Sequence, residues 1–234
     1  MVFSVPGDDR SSFTRALTLL TAAGRNGDLC GPFVEAVGVT GASISTLGRP
    51  LGSETVCAST DLAARIDEIQ IDLGEGPSWD ALRMRRPVLE SDVQRRGGAN
   101  WPLAREAFRA LDFGGLYAFP LFVGDLNVGS VGLYSDSPRR LTQRAVDDAT
   151  VLAEITSRHL LRRALDDVDN VDDGIADGPH SRREMHQASG MVAAQLSIGV
   201  DDALLVLRGR AFASGRTVTE IAVEVVSRRL SFEK

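Results

Sequence analysis

Arg182, Arg183, Arg208 and Arg216 place guanidinium groups in residues 181–234, together with Gln187, Ser189 and Gly190. A guanidinium can grip a phosphate with its planar fork and can also stack on a base. A helical glycine lets a nucleotide approach the backbone closely. Folded RNA is held through phosphates, sugar hydroxyls and splayed loop bases, which these residue types suit. Arg182 and Arg183 open a helix, where cations oppose the dipole, so an external anion explains them better than local stability does. Arg208 lies about 40° from Leu204 on the helical wheel. It suits either an RNA contact or a structural pair with a carboxylate of a neighbouring helix. Gly190 could equally serve close helix packing.

Nothing comparable points to catalysis. The chain has no Gly-x-Ser-x-Gly elbow, no His-Glu-x-x-His and no kinase or P-loop signature, so no catalytic residue and no enzyme is expected. Gly74-x-Gly76-Pro77 lacks the Walker lysine and the dinucleotide fingerprint, and reads as structural. His159, His180 and His186 are scattered, and His186 reads as a solvated side chain. Cys30 and Cys57 form no Cys-x-x-Cys pair, so neither a metal site nor a disulfide framework is expected. Cys57 reads as a small buried hydrophobe. Trp79 and Trp101 could line a sensor pocket, although core packing is the default for tryptophan. No cofactor is implied.

These residues need a scaffold, and charge divides it. The net charge is −6, unfavourable for a nucleic-acid binder, but it is unevenly spread. Residues 165–180 hold six aspartates with no Lys or Arg, plus two glycines and a proline. Such a stretch repels itself and buries little, so it reads as an exposed linker. Residues 181–234 carry eight Lys/Arg against six Asp/Glu. The expected organisation is a tail at 1–10, a domain at 11–164, the linker at 165–180 and a basic module at 181–234. No secretory signal and no apolar run long enough for a membrane span is visible, so a cytoplasmic protein is expected.

Before the linker, residues 11–23, 29–39, 60–73, 101–111 and 141–165 read as helices, with Leu62, Ile66, Ile69 and Leu73 at helical spacing in the third. Residues 42–47, 54–59 and 87–90 read as short strands. Residues 114–123 and 128–134 are β-branched and aromatic around a Gly124-Asp125-Leu126-Asn127 turn. This order implies an α+β domain, an antiparallel sheet with flanking helices. Residues 69–93, IQIDLGEGPSWDALRMRRPVLESDV, and 117–135, YAFPLFVGDLNVGSVGLYS, resemble the GAF domains of actinobacterial regulators. The resemblance covers most of residues 11–164 and implies a sensor, with a small-molecule ligand as its possible signal. Ser78 stands where many relatives carry a cysteine.

The module reads as three helices. The first buries Met185, Ala188, Val192 and Leu196, and the second Val200, Leu204, Leu207 and Ala211. The third opens with a capping box, Thr217 and Glu220, and buries Val218, Ile221, Ala222 and Val225. Gln187-Ala188-Ser189-Gly190, Ala203, Leu207-Arg208, Ala211, Arg216 and Ile221-Ala222 resemble the ANTAR family in order and spacing. Ser189 stands where many members have lysine, and Val192-Ala193 where Leu-Met is common. The resemblance implies an all-α RNA-binding module, hairpin-containing leader transcripts as partner, and antitermination of transcription by a homodimer. Two readings compete with it: a ligand or protein-interaction sensor whose tail only dimerises, and a helix-turn-helix that binds DNA.

Overall fold

The computed structural model describes residues 10–24, 27–48, 50–95, 100–171 and 180–232, with the side chains of 167–171, 180–183, 201 and 212 outside that description. Most of the tail expected at 1–10 and the centre of the expected linker, 172–179, lie outside the described residues.

Two long strands organise the N-terminal domain. β1 (Gly41–Thr46), β2 (Glu54–Ala58), β3 (Val88–Glu90), β4 (Gly115–Val123) and β5 (Leu126–Ser135) form one sheet in the order β2-β1-β5-β4-β3. Every pairing is antiparallel. The β4–β5 hairpin turns on Gly124, whose φ of +59° suits a residue without a Cβ. The expected antiparallel α+β arrangement is therefore present.

Because strand side chains alternate, the sheet builds a different layer on each face. Ile44, Tyr117, Phe119, Leu121, Val131 and Leu133 pack against α1 (Ser11–Ala22), α2 (Gly31–Val37) and α6 (Gln143–Val171), which contribute Leu20, Phe33 and Leu152. On the opposite face, Leu116 and Tyr134 meet Ile66 and Ile69 of α3 (Asp61–Leu73) and Phe108 of α5 (Pro102–Phe108). Phe113 makes edge-on contacts with Phe108 and Tyr134 at centroid separations of 5.6 and 6.2 Å, a favoured aromatic geometry. Thr60 caps α3 by accepting the Ala63 N–H, and Gly74 ends it at φ +66°. α4 (Pro77–Met84) follows at once, with Pro77 in its first turn.

Three expectations need correction here. Cys30, at the start of α2, is disulfide-bonded to Cys57 of β2, which ties that helix to the sheet edge. Spacing argued against any framework, but packing brings the two sulfurs together. The long helix runs to Val171 rather than 165, because 166–171 contain no helix breaker and the first glycine of the acidic segment comes later. Val200 is 52% exposed and Leu196 36%, so neither belongs to the module's core.

The C-terminal helices α7 (His180–Leu196), α8 (Val200–Ser214) and α9 (Val218–Val226) enclose a core of their own. Ala188, Val192, Ala203, Leu207, Ala211, Val218, Ile221, Ala222 and Val225 are all buried in it. Both halves of the capping box form: the Thr217 hydroxyl accepts the Glu220 N–H, and the Glu220 carboxylate accepts the Thr217 N–H. Among the described residues no helix is long and apolar enough to cross a membrane.

Candidate functional site

Helix α3 carries polar groups on two faces, and each face meets a different partner. The inner face buries Asp67 and Gln70 among apolar neighbours Ala63, Ile66 and Ile69. Asp67 is 1% exposed and accepts hydroxyl bonds from Ser45 (3.1 Å) and Thr55 (2.6 Å). Burial lifts its pKa to about 6; the Thr55 and Ser45 bonds oppose the rise without cancelling it. Gln70 accepts the Ser78 N–H at 2.9 Å, and its backbone carbonyl accepts the Trp79 indole N–H at 2.7 Å. The buried Ser78 hydroxyl has no hydrogen-bond partner. It faces Gly132 of β5, where an added Cβ would lie 2.9 Å from the Ser43 hydroxyl and 4.0 Å from that of Ser78. Ser43, Ser45, Thr55, Asp67, Gln70 and Ser78 thus form a polar layer between sheet and helix.

A signal for this layer existed in the sequence. Asp67 and Gln70 share a stripe with Ala63 and Ile66, so two polar residues lie where a core-facing helix should be apolar. Leu62 and Leu73, expected on the buried stripe, are only half-buried.

The Gly-Glu-Gly-Pro turn locks the C-terminal end of α3 to its surroundings. Glu75 accepts the Ala104 N–H of α5 at 2.7 Å. Gly76 has φ +131°, and a Cβ there would meet the Gln70 amide oxygen at 2.6 Å, so only glycine fits. Trp101 is buried, with its indole N–H on Asp80 at 2.8 Å, whereas Trp79 is half-buried and faces a groove between the domains.

That groove encloses roughly 1080 Å³, at the upper end of small-molecule sites. Its sensor-side wall includes Glu54, Thr55, Glu68, Asp72 and Trp79, and its module-side wall includes Met185, His186, Ser189, Leu204, Arg208 and Thr217. The domains touch where Asp72 accepts the Val218 N–H at 3.3 Å. Desolvation raises the Asp72 carboxyl to about 6, helped by Glu68 and opposed by the Val218 N–H, Arg65 and Arg208. The Arg208 guanidinium lies 3.4 Å from where a Cβ on Gly74 would stand, and desolvation lowers its pKa.

The expected RNA contacts are therefore divided. Gln187 and Gly190 are exposed on α7, with open space where a Cβ on Gly190 would be. Ser189 is 4% exposed and donates to the His186 carbonyl at 3.1 Å. Arg208 is half-buried against α3, and Arg216 donates to Glu224 at 3.0 Å with Glu220 at 3.6 Å. The side chains of Arg182 and Arg183 lie outside the described residues. Among the described residues no cluster of three or more His, Cys, Asp or Glu could hold a metal ion.

The family model described as GAF domain matches residues 33–160. No curated protein matches the chain. Among solved structures, the GAF domain of a phosphoenolpyruvate-protein phosphotransferase from Acinetobacter is 11% identical with a TM-score of 0.50, over 68% of this chain and 95% of that one. The corresponding domain from Coxiella burnetii is 13% identical with a TM-score of 0.50, over 65% and 92%. At such identities the likeness concerns fold alone. The sheet order, the helices on both faces and the match across more than half of the residues lead to one assignment: the chain belongs to the GAF domain family, and residues 33–160 are its sensor domain.

Proposed function

We propose that this protein is a non-enzymatic regulator in which the GAF sensor governs a C-terminal RNA-binding module resembling the ANTAR family, and that it acts by transcription antitermination as a homodimer. One observation carries the reading. The last helices close around a core of their own, yet leave Gln187 and Gly190 exposed on the helix whose first turn has Arg182 and Arg183 in its sequence. A packed module with a small, polar exposed face suits a structured polyanion better than it suits a catalytic pocket. The sensor's input is a small molecule or a partner acting on the polar layer beneath α3.

The test is fluorescence anisotropy of the full chain against a two-hairpin RNA, a scrambled RNA of equal length and duplex DNA, at two salt concentrations. Preference for the hairpins, with an affinity that falls as salt rises, supports the reading. Equal affinity for scrambled RNA, or preference for the duplex, overturns it, the latter in favour of a helix-turn-helix. Single-round transcription through a terminator placed after the hairpins should then show increased read-through.

A further inference from the structure

The module's docked position bears on the very surface proposed to meet RNA. Gly74 at the end of α3 stands against the Arg208 guanidinium, and Asp72, whose charge Arg208 feels, accepts the backbone N–H of Val218 at the start of α9. Ser189 and His186 line the same groove. At roughly 1080 Å³ its free space is that of a small-molecule site, far below what a folded stem-loop fills. Contact with RNA through Arg208 and docking of the module on the end of α3 therefore exclude each other.

We propose that the sensor's α3 C-terminus is an autoinhibitory partner of the module, with the Asp72 carboxyl holding the Val218 backbone donor and the end of the helix standing against Arg208, where an RNA phosphate would otherwise bind. This rests on the RNA-binding reading given above. The coupling route is short. Asp67 and Gln70 sit in the buried polar layer, Gln70 holds Ser78 and Trp79, and Asp72 projects from the same helix about 140° around from Asp67. A ligand that shifts α3 against β1 and β2 moves Asp72 relative to Arg208. The Asp72–Val218 bond of 3.3 Å is one exchangeable hydrogen bond, and relative domain motion is the default unless an interface is large and hydrophobic.

The experiment compares full-length wild type with Asp72→Lys, and with Asp61→Lys as a control making the same charge change at the far end of α3. Hydrogen exchange of α8 and of the first turn of α9 reports docking, and anisotropy with the two-hairpin RNA reports binding. Circular dichroism melting confirms that each variant keeps a folded sensor. If nine-tenths of the molecules are docked, release tightens apparent affinity about tenfold, since apparent affinity scales with the competent fraction. Faster exchange and tighter hairpin binding in Asp72→Lys alone is the expected result. Unchanged exchange overturns the docking. Faster exchange with hairpin affinity equal to that of wild type overturns the competition and leaves the antiterminator reading intact. Faster exchange with no RNA binding by any form overturns the antiterminator reading, and the competition with it, while the docked contact stands.

Discussion

Asp67 and Asp72 stand five positions apart on one helix, carry the same functional group and share a pKa raised to about 6. Their surroundings nonetheless differ in kind. Asp67 is sealed between α3 and the sheet, and its partners Ser45 and Thr55 belong to the same domain. Asp72 is half-buried at a joint, where it accepts the Val218 N–H and feels the charge of Arg208, both of the other domain. Burial is the leading cause of both shifts, but the first is inseparable from folding and the second can be relieved by moving a domain. One helix thus carries a folding constraint on its inner face and a movable contact on its outer face.

Charge reversal should separate the two faces most sharply. Asp67→Lys places an unpaired cation in a fully buried layer and should cost the sensor about 3–5 kcal/mol, seen as a large fall in its melting temperature. The same reversal at Asp72 should leave that melting nearly unchanged and show itself in exchange at α8. Equal damage from both would mean that the two faces are one cooperative unit.

Reducing the Cys30–Cys57 disulfide perturbs the sensor without touching the joint. The bond spans 27 residues, and a loop of that size contributes about 3.5 kcal/mol by restricting the unfolded chain. Reductant, or Cys57→Ser, should lower the sensor's stability by that order in denaturant titration, with exchange at α8 unaltered. A simultaneous rise at α8 would tie the α2–β2 edge to the docking contact.

How much of this was legible in the sequence depended on the distance between partners. The β4–β5 hairpin and the Thr217–Glu220 box were readable because their determinants are local: a turn between β-rich runs, and two residues three apart. The disulfide was not, because it needs α2 laid beside β2, which spacing does not encode. On α8 the run Ala203-Leu204-Leu205-Val206-Leu207 offers an apolar residue to every direction, so the buried stripe cannot be picked out: Val200, expected in the core, is exposed, and Leu204 is only half-buried. Arg208 carried both of its possible partners in its chemistry, phosphate or carboxylate. Only the fold brings Asp72, from a remote part of the chain, within reach.

Removing the inner charge while keeping the side chain's shape is a subtler probe. Between about pH 4 and pH 6 the unfolded chain has released the Asp67 proton while the folded chain retains it, so stability falls as pH rises through that window. Above pH 6 the charged group is held at a cost. Asp67→Asn should therefore stabilise the sensor by about 1–2 kcal/mol at pH 7, part of the gain being offset because the amide nitrogen cannot accept a hydroxyl bond. Near pH 4 the gain should vanish, as urea titrations at the two pH values would show. A gain of equal size at both would mean that charge is not its source.

The outer carboxyl should give the smallest effect and the most specific one. Desolvation, the largest influence, holds the docked Asp72 carboxyl at about 6 while the module's own Val218 N–H and Arg208 pull it down; where release resolvates the carboxyl fully, the desolvation is relieved and the proton is lost more readily. Docking should weaken as pH rises from 5 to 7, and exchange at α8, corrected for its intrinsic pH dependence, should rise about fivefold, from the carboxyl's preference for its neutral form when docked. The charged groups facing it are Glu68 and Arg65 on its own helix and Arg208 on α8, with Glu54 of β2 and His186 of α7 also lining the groove. Asp72→Asn should abolish the dependence and His186→Gln should leave it intact. The reverse outcome would move the titrating group to the module, and the contrast between the two aspartates of α3 would no longer explain how the joint opens.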